Sequence, residues 1–364
     1  MPPERRGALV ISLDFELAWG VRDVFDLDGP YRANLLGARE AVPRILDRFT
    51  SHEVAATWAT VGFLMADGRD EALAFAPIER PAYADRHLDP YPTLDGRHPH
   101  ERAGDSERSD PVRFAPSLVR AIAAAPRQEL ASHTYAHFTA LEPGATREAF
   151  AADLHAAQAI ATARFGTRVR SLVLPRHQVR RDWLPSVAAA GFRAHRGPEP
   201  HVLGVPHAGV HDAAWKRAAR LADAFVPLTG ANAAAWPRID PHGLVDVPES
   251  RFLRPASRRL APLLEPLRVH RIVLAMESAA RAGRICHVWW HPHNFGADLN
   301  ANLRNLDAIL GRFDRLRDAL GFESLTMADV ADRVVVAHPP EAGADARADQ
   351  PRDVGTATAA SSSR

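Results

Sequence analysis

Ala8-Leu9-Val10-Ile11-Ser12-Leu13-Asp14-Phe15-Glu16 is an apolar, β-branched run that ends in two carboxylates. Such a run has the composition of a buried strand, and the acids mark where it leaves the core. Residues 35–50 follow with helical periodicity, placing Leu36, Val42, Ile45, Leu46 and Phe49 on roughly one face. Residues 54–62 (VAATWATVG) read as a second strand. A strand–helix–strand rhythm of this length predicts parallel strands joined by crossover helices.

The rhythm continues outward. Helices are expected at 116–125, 146–165, 181–190, 211–225, 265–282 and 301–319, and strands at 129–134, 169–175, 191–195, 244–248, 285–290 and 324–327. Seven or eight such units predict a distorted (β/α) barrel of about seven strands rather than an open sheet. Residues 65–113 interrupt the pattern with many Pro, Asp, Arg and His residues and are expected to form a long inserted loop over the pocket. Tyr83, Tyr91, Arg97 and His98 are its candidate sugar contacts, with a solvated charged loop as the alternative. Residues 339–364 are small, polar and proline-containing, so a barrel over 1–338 and a disordered tail are expected.

Composition narrows the function. The 364 residues carry 45 Lys+Arg against 44 Asp+Glu, so no net basic field points to nucleic acid. Only Lys216 offers lysine chemistry, and the single Cys286 excludes an intrachain disulfide and a multi-cysteine zinc site. No run of about 18 apolar residues predicts a membrane span. The first apolar run is shorter than a signal-peptide core, so a cytoplasmic location is expected.

Four polar motifs sit at the C-terminal ends of predicted strands, the face that carries catalysis in α/β barrels. Asp14 and Glu16 are two residues apart, so on a strand both carboxylates share one side. His133 and His137 are spaced to stack on one helical face as two metal ligands. His291 leaves a strong apolar strand into a Pro-Gly loop, suited to general acid–base work or to a plain backbone cap. Arg176 follows another strand and is placed either to hold a carboxylate or to form a surface ion pair. A carboxylate and two imidazoles suit a divalent metal such as zinc, and the remaining groups supply base and acid for metal-assisted acyl hydrolysis.

In this order, SLDFE (12–16), SHTYAH (132–137), LPRHQ (174–178) and WHPH (290–293) resemble the polysaccharide deacetylase family with its NodB-homology domain. The resemblance implies a distorted (β/α) barrel that removes acetyl groups from acetylated sugars with a divalent metal. It implies Asp14 as catalytic base, Glu16, His133 and His137 as metal ligands, His291 as late general acid and Arg176 as the arginine that holds the base. The Asp-x-Glu form of the first motif is similar to the branch holding peptidoglycan deacetylases without signal peptides and allantoinase-like cyclic amide hydrolases, some of which work without a metal. Glu249 is the candidate for the acid that tunes the late histidine, and His293 a lesser pocket residue. The expected substrate is an N-acetylated sugar or glycan precursor. The alternatives are a small cyclic amide, or a carbohydrate held without catalysis. A homo-oligomer is compatible with all of these.

Overall fold

The structure, a computed structural model, describes residues 6–97, 102–199, 201, 207–209, 213–256 and 261–337, with the side chains of 261–263 left aside. His98 and the expected tail at 339–364 lie outside the described residues. The strands are β1 (Ala8–Phe15), β2 (Ala56–Thr60), β3 (Gln128–Ser132), β4 (Ser171–Leu172), β5 (Ala194–His195), β6 (Val245–Asp246), β7 (Arg251–Phe252), β8 (Ile285–Trp290) and β9 (Glu323–Leu325). They pair in parallel in the order β6-β5-β4-β3-β2-β1-β8-β7, with β9 also on β1.

The two ends of that order are neighbours in sequence. Val247 N donates to His195 O at 2.9 Å, and Ser250 N donates to His287 O at 2.8 Å. Residues 245–252 therefore bond to β5 with one half and to β8 with the other, which draws the sheet into the curled barrel. Pro248, which has no N–H for the ladder, sits where the segment changes partner. β9 falls at the strand expected over 324–327, and the split into β6 and β7 raises the eight expected strand segments to nine strands.

Alternation along β1 sorts its side chains. Leu9, Ile11, Leu13 and Phe15 join the large cluster packed with the helices, whereas Ala8 and Val10 join a second, interior cluster. Ser12 and Asp14 continue the inward row. β8 repeats the pattern: Cys286, Val288 and Trp290 face the helices, and Ile285 begins an inward row that runs on through His287, Trp289 and His291. The barrel interior is thus apolar at its base and polar at its mouth. Helix Met327–Ala337, which the sequence reading did not anticipate, closes the base with Met327, Val330, Ala331 and Val334.

Two expectations need correction. In helix Arg32–Ser51 the buried face is Leu35, Ala38, Val42, Ile45, Leu46 and Phe49, while Leu36 is 39% exposed. The stripe is set one residue earlier because 35, 38, 42, 45 and 49 keep the 3.6-residue period and 36 does not. Segment 65–113 is also more than a solvated loop. It holds helices Arg69–Ala74 and Tyr91–Asp95, and buries Tyr83, Leu88, Tyr91, Leu94 and Val112. Tyr91 packs edge-on to Phe63 at 5.8 Å, so its ring supports the core; Arg97 is exposed and pairs with Asp95 at 2.7 Å. No helix among the described residues is long and apolar enough to cross a membrane.

Helix Arg32–Ser51 meets the turn after β8 at Gly37, where a Cβ would lie 2.4 Å from the Gly296 carbonyl oxygen. Gly37→Ala is expected to cost about 1–3 kcal/mol of stability in denaturant unfolding through overpacking. Gly311→Ala, where no atom lies within 4 Å, is expected to gain up to about 1 kcal/mol in the same measurement.

Candidate active site

The inward rows converge at the barrel mouth on Asp14. Its Oδ1 and Oδ2 each accept from Arg196 at 2.7 Å, and both side chains are buried. Arg196 Nη1 also donates to Ser12 Oγ at 2.9 Å, and the guanidinium lies over the Trp289 ring at 4.5 Å. His287 fixes the direction of the remaining bonds. Its Nδ1 faces the Val247 carbonyl at 3.1 Å and must donate there, so Nε2 accepts from Ser12 Oγ at 2.8 Å. Burial pushes the Asp14 carboxyl up, but Arg196 outweighs it and holds the pKa far below the usual range. Burial draws His287 down to about 3, so it stays neutral.

Arg176 is not the residue that holds Asp14. It pairs with Asp23 and lies 3.9 Å from Glu142, on the short helical turn Pro175–His177. Strand parity explains the difference: Arg196 stands two residues beyond inward-facing Ala194 on β5, whereas Arg176 is one residue out of phase with inward-facing Val173.

Glu16, His133 and His137 form a buried group whose ligand atoms all lie within 4.8 Å of one another. Both imidazole Nε2 atoms face Glu16 Oε2, at 3.2 Å for His133 and 3.1 Å for His137. His133 Nδ1 faces the Val173 carbonyl at 2.9 Å and donates to it, which leaves the Nε2 lone pair directed at the carboxylate. Lone pairs facing one another across 3 Å call for a positive charge between them. The donor set of two imidazoles and one carboxylate therefore fits a divalent cation. Burial draws His137 down to about 4, which keeps it neutral as a ligand must be.

No helix stacks these histidines. His133–His137 is a tight loop with Thr134 and His137 at φ of 63° and 56°. Asp153 on the buried face of helix Arg147–Phe165 accepts from Tyr135 N at 2.7 Å and Ala136 N at 3.0 Å. Thr134 Oγ1 accepts from Phe138 N at 2.7 Å, and Tyr83 Oη accepts from Thr139 N at 2.9 Å. Tyr83 is therefore a support for this loop. An acid on the buried stripe of a helix was the available signal for Asp153.

His291 Nε2 lies 3.4 Å from Glu16 Oε1 and 4.0 Å from Asp14 Oδ2. Its Nδ1 accepts from Asn294 Nδ2 at 3.3 Å, and Tyr31 Oη donates to Asn294 Oδ1 at 3.2 Å. The tautomer so selected carries its proton on Nε2, facing the two carboxylates. Glu249 does not reach His291; it lies 3.5 Å from His177. His293 is buried against His291 and Tyr31, with ring centres 5.2 and 5.9 Å away.

Residues 24–195 match the family model described as polysaccharide deacetylase. The match contains His133 and His137, while Asp14, Glu16, Arg196 and His291 fall outside it and are brought to them by the fold. No curated protein matches the chain by sequence. Among solved structures, a Mycobacterium smegmatis protein assigned to the polysaccharide deacetylases aligns with TM-score 0.59 at 13% identity over 93% of each chain. The PuuE allantoinase aligns with TM-score 0.54 at 13% identity, covering 93% of this chain and 94% of that one. A Pseudomonas aeruginosa PAO1 protein assigned to the polysaccharide deacetylases gives 0.53 at 12% identity, covering 94% and 95%. At these identities the likeness is one of fold.

Two measurements probe this site. His133→Ala is expected to lower the divalent metal retained after dialysis, by elemental analysis, by about 10-fold or more, whereas Asp14→Asn retains the wild-type content. Equal metal content in wild type and His133→Ala would remove the ligand assignment. Burial pushes the Glu249 carboxyl up to about 8 from 4.5, so between those values the folded protein holds a proton that the unfolded chain has released. Through this group stability falls as pH rises across that window. Glu249→Gln is permanently neutral and is expected to gain stability relative to wild type from about pH 5 to about pH 8, read as denaturant midpoints.

Proposed function

We propose that this protein hydrolyses the C–N bond of a small N-acylated substrate, removing the acetyl group from an N-acetylated sugar. The observation that carries this reading is the placement of two different groups, a carboxylate and an imidazole, beside one donor set. Asp14, ionised and clamped by Arg196, lies 4.0 Å from His291 Nε2, which is 3.4 Å from Glu16, and Glu16 also faces His133 and His137.

The protein's own groups divide the work. Arg196 keeps Asp14 charged and in one orientation, so its carboxylate is always free to accept a proton from the attacking water. The same pairing makes Asp14 a weak base. A divalent cation held by Glu16, His133 and His137 would supply what this base needs, a water of lowered pKa and a counter-charge for the acyl oxygen. As general acid His291 acts in its doubly protonated form, giving the Nε2 proton to the departing nitrogen and being left as the neutral imidazole, while Asn294, bonded to Tyr31, positions the ring at Nδ1.

A second reading has support of its own. The adjoining cavity has a volume of about 530 Å³, within the range of small-molecule sites. A cyclic amide fits such a space, and the same base and acid would open its ring. Assay of acetate release from N-acetylated mono- and disaccharides, beside ring opening of cyclic ureides, separates the two. Whichever substrate is turned over, Asp14→Asn and His291→Ala are each expected to lower kcat by about 10²–10⁴-fold. Unchanged turnover in either variant would overturn the assigned roles.

A further inference from the structure

The 530 Å³ cavity adjoins the reacting groups through residues packed against them rather than being lined by them. Its near end includes Gly20, where an added Cβ would fall 1.9 Å from the Glu16 carboxyl carbon, together with His177 and Trp289. Its wall runs from Phe252, whose ring lies 4.5 Å from Trp289, through Arg254, 5.8 Å from the Phe252 ring, to helix Ala261–Ala282. Seven arginines and four carboxylates line the whole.

The acids are already engaged. Asp223 accepts from Arg251 at 3.0 Å and lies 3.4 Å from Arg271, Glu265 pairs with Arg268 at 3.0 Å, and Glu199 pairs with His201. Glu249 is turned toward His177. Arg254 is half-buried and has no carboxylate within ion-pair distance among the described residues. Its polar contact is the Arg220 carbonyl at 3.5 Å. Burial, with the charges of Arg268 and Arg220 behind it, draws the Arg254 pKa down, and Glu199 and Asp223 offset this only in part. Arg251 Nε, buried in the same wall, has no hydrogen-bond partner. A half-buried cation facing a cavity with like-charged neighbours is unfavourable unless an anion completes the site.

We propose that this cavity binds an oxyanion carried by the substrate, a phosphate or a carboxylate, with Arg254 as its principal contact. The inference rests on the hydrolase reading only for the position of the reacting amide at the near end. It narrows the substrate class to N-acylated compounds that carry an acidic group several bonds from the amide. Guanidinium groups bind such oxyanions through paired N–H donors.

The test uses the intact chain as wild type, Arg254→Gln and Arg254→Lys, with equal thermal midpoints as the check on folding. Inorganic phosphate titrated by calorimetry is expected to bind saturably, about tenfold or more weakly in Arg254→Gln and with most of the affinity kept in Arg254→Lys. Absence of saturable binding, or equal affinity in wild type and Arg254→Gln, would overturn the proposal. Acetate release from N-acetylglucosamine, its 6-phosphate and N-acetylmuramic acid is followed in parallel. A lower KM for the 6-phosphate alone identifies phosphate as the anion, and a lower KM for both acidic sugars extends it to carboxylate. Equal KM for all three overturns the anion site and leaves the hydrolase reading intact. Arg254-dependent phosphate binding with no acetate or ring-opened product from any substrate overturns the hydrolase reading and leaves the anion site standing.

Discussion

The buried pair of Asp14 and Arg196 joins residues 182 positions apart in sequence and sets the electrostatics of everything around it. Two charges removed from water are costly, and their attraction alone does not make such a pair stabilising. It is tolerated here because Asp14 and Ser12 take the Nη donors, His287 orients Ser12 and the Trp289 ring covers the guanidinium, although Arg196 Nε has no hydrogen-bond partner. The pair also leaves a definite remainder. One arginine balances one of the two acids, so with neutral imidazoles the charge of Glu16 stays uncompensated beside His133 and His137. A divalent cation is the species that turns this surplus into a small positive excess where an acyl oxygen would gain charge.

How much of this was legible depends on whether a feature lay in one segment. β1 and β8 could be read directly, since Ala8–Phe15 and Ile285–Trp290 are apolar runs ending in polar residues. Asp14 lies near the end of β1, Glu16, His133 and His291 each follow a strand by one residue, His137 follows in the loop after β3, and the fold brings all five together. Arg196 was hidden because β5 is formed by Ala194–His195 alone and gives no periodic pattern to count along. The i, i+2 rule still applies to it, since Ala194 faces inward and Arg196 follows in phase. A recognisable motif at Arg176 drew attention to a residue that is out of phase.

Other features required tertiary geometry. The His133–His137 loop has helical spacing but left-handed residues, and its shape comes from Asp153 and Thr134 rather than from propensity. Segment 65–113 has the composition of a loop, yet Tyr83, Tyr91 and Leu94 are buried because that stretch covers one flank of the barrel. Composition reports what a segment can afford to expose. It does not report that a neighbour has left an apolar surface uncovered.

The arginine wall gives the two ends of the cavity different electrostatic tasks. At the near end, Glu16 and Asp14 would repel an anionic substrate in proportion to the charge that Arg196 leaves uncompensated. At the far end, Arg254 and its neighbours attract the same anion. A substrate with an acidic group remote from its amide resolves the conflict in only one orientation, with the acid outward and the amide between Asp14 and His291. A neutral amide gains nothing from the far wall and could enter either way round. The separation of unlike charges along one cavity thus supplies orientation, and orientation is the part of catalysis that binding energy remote from the reacting bond can support.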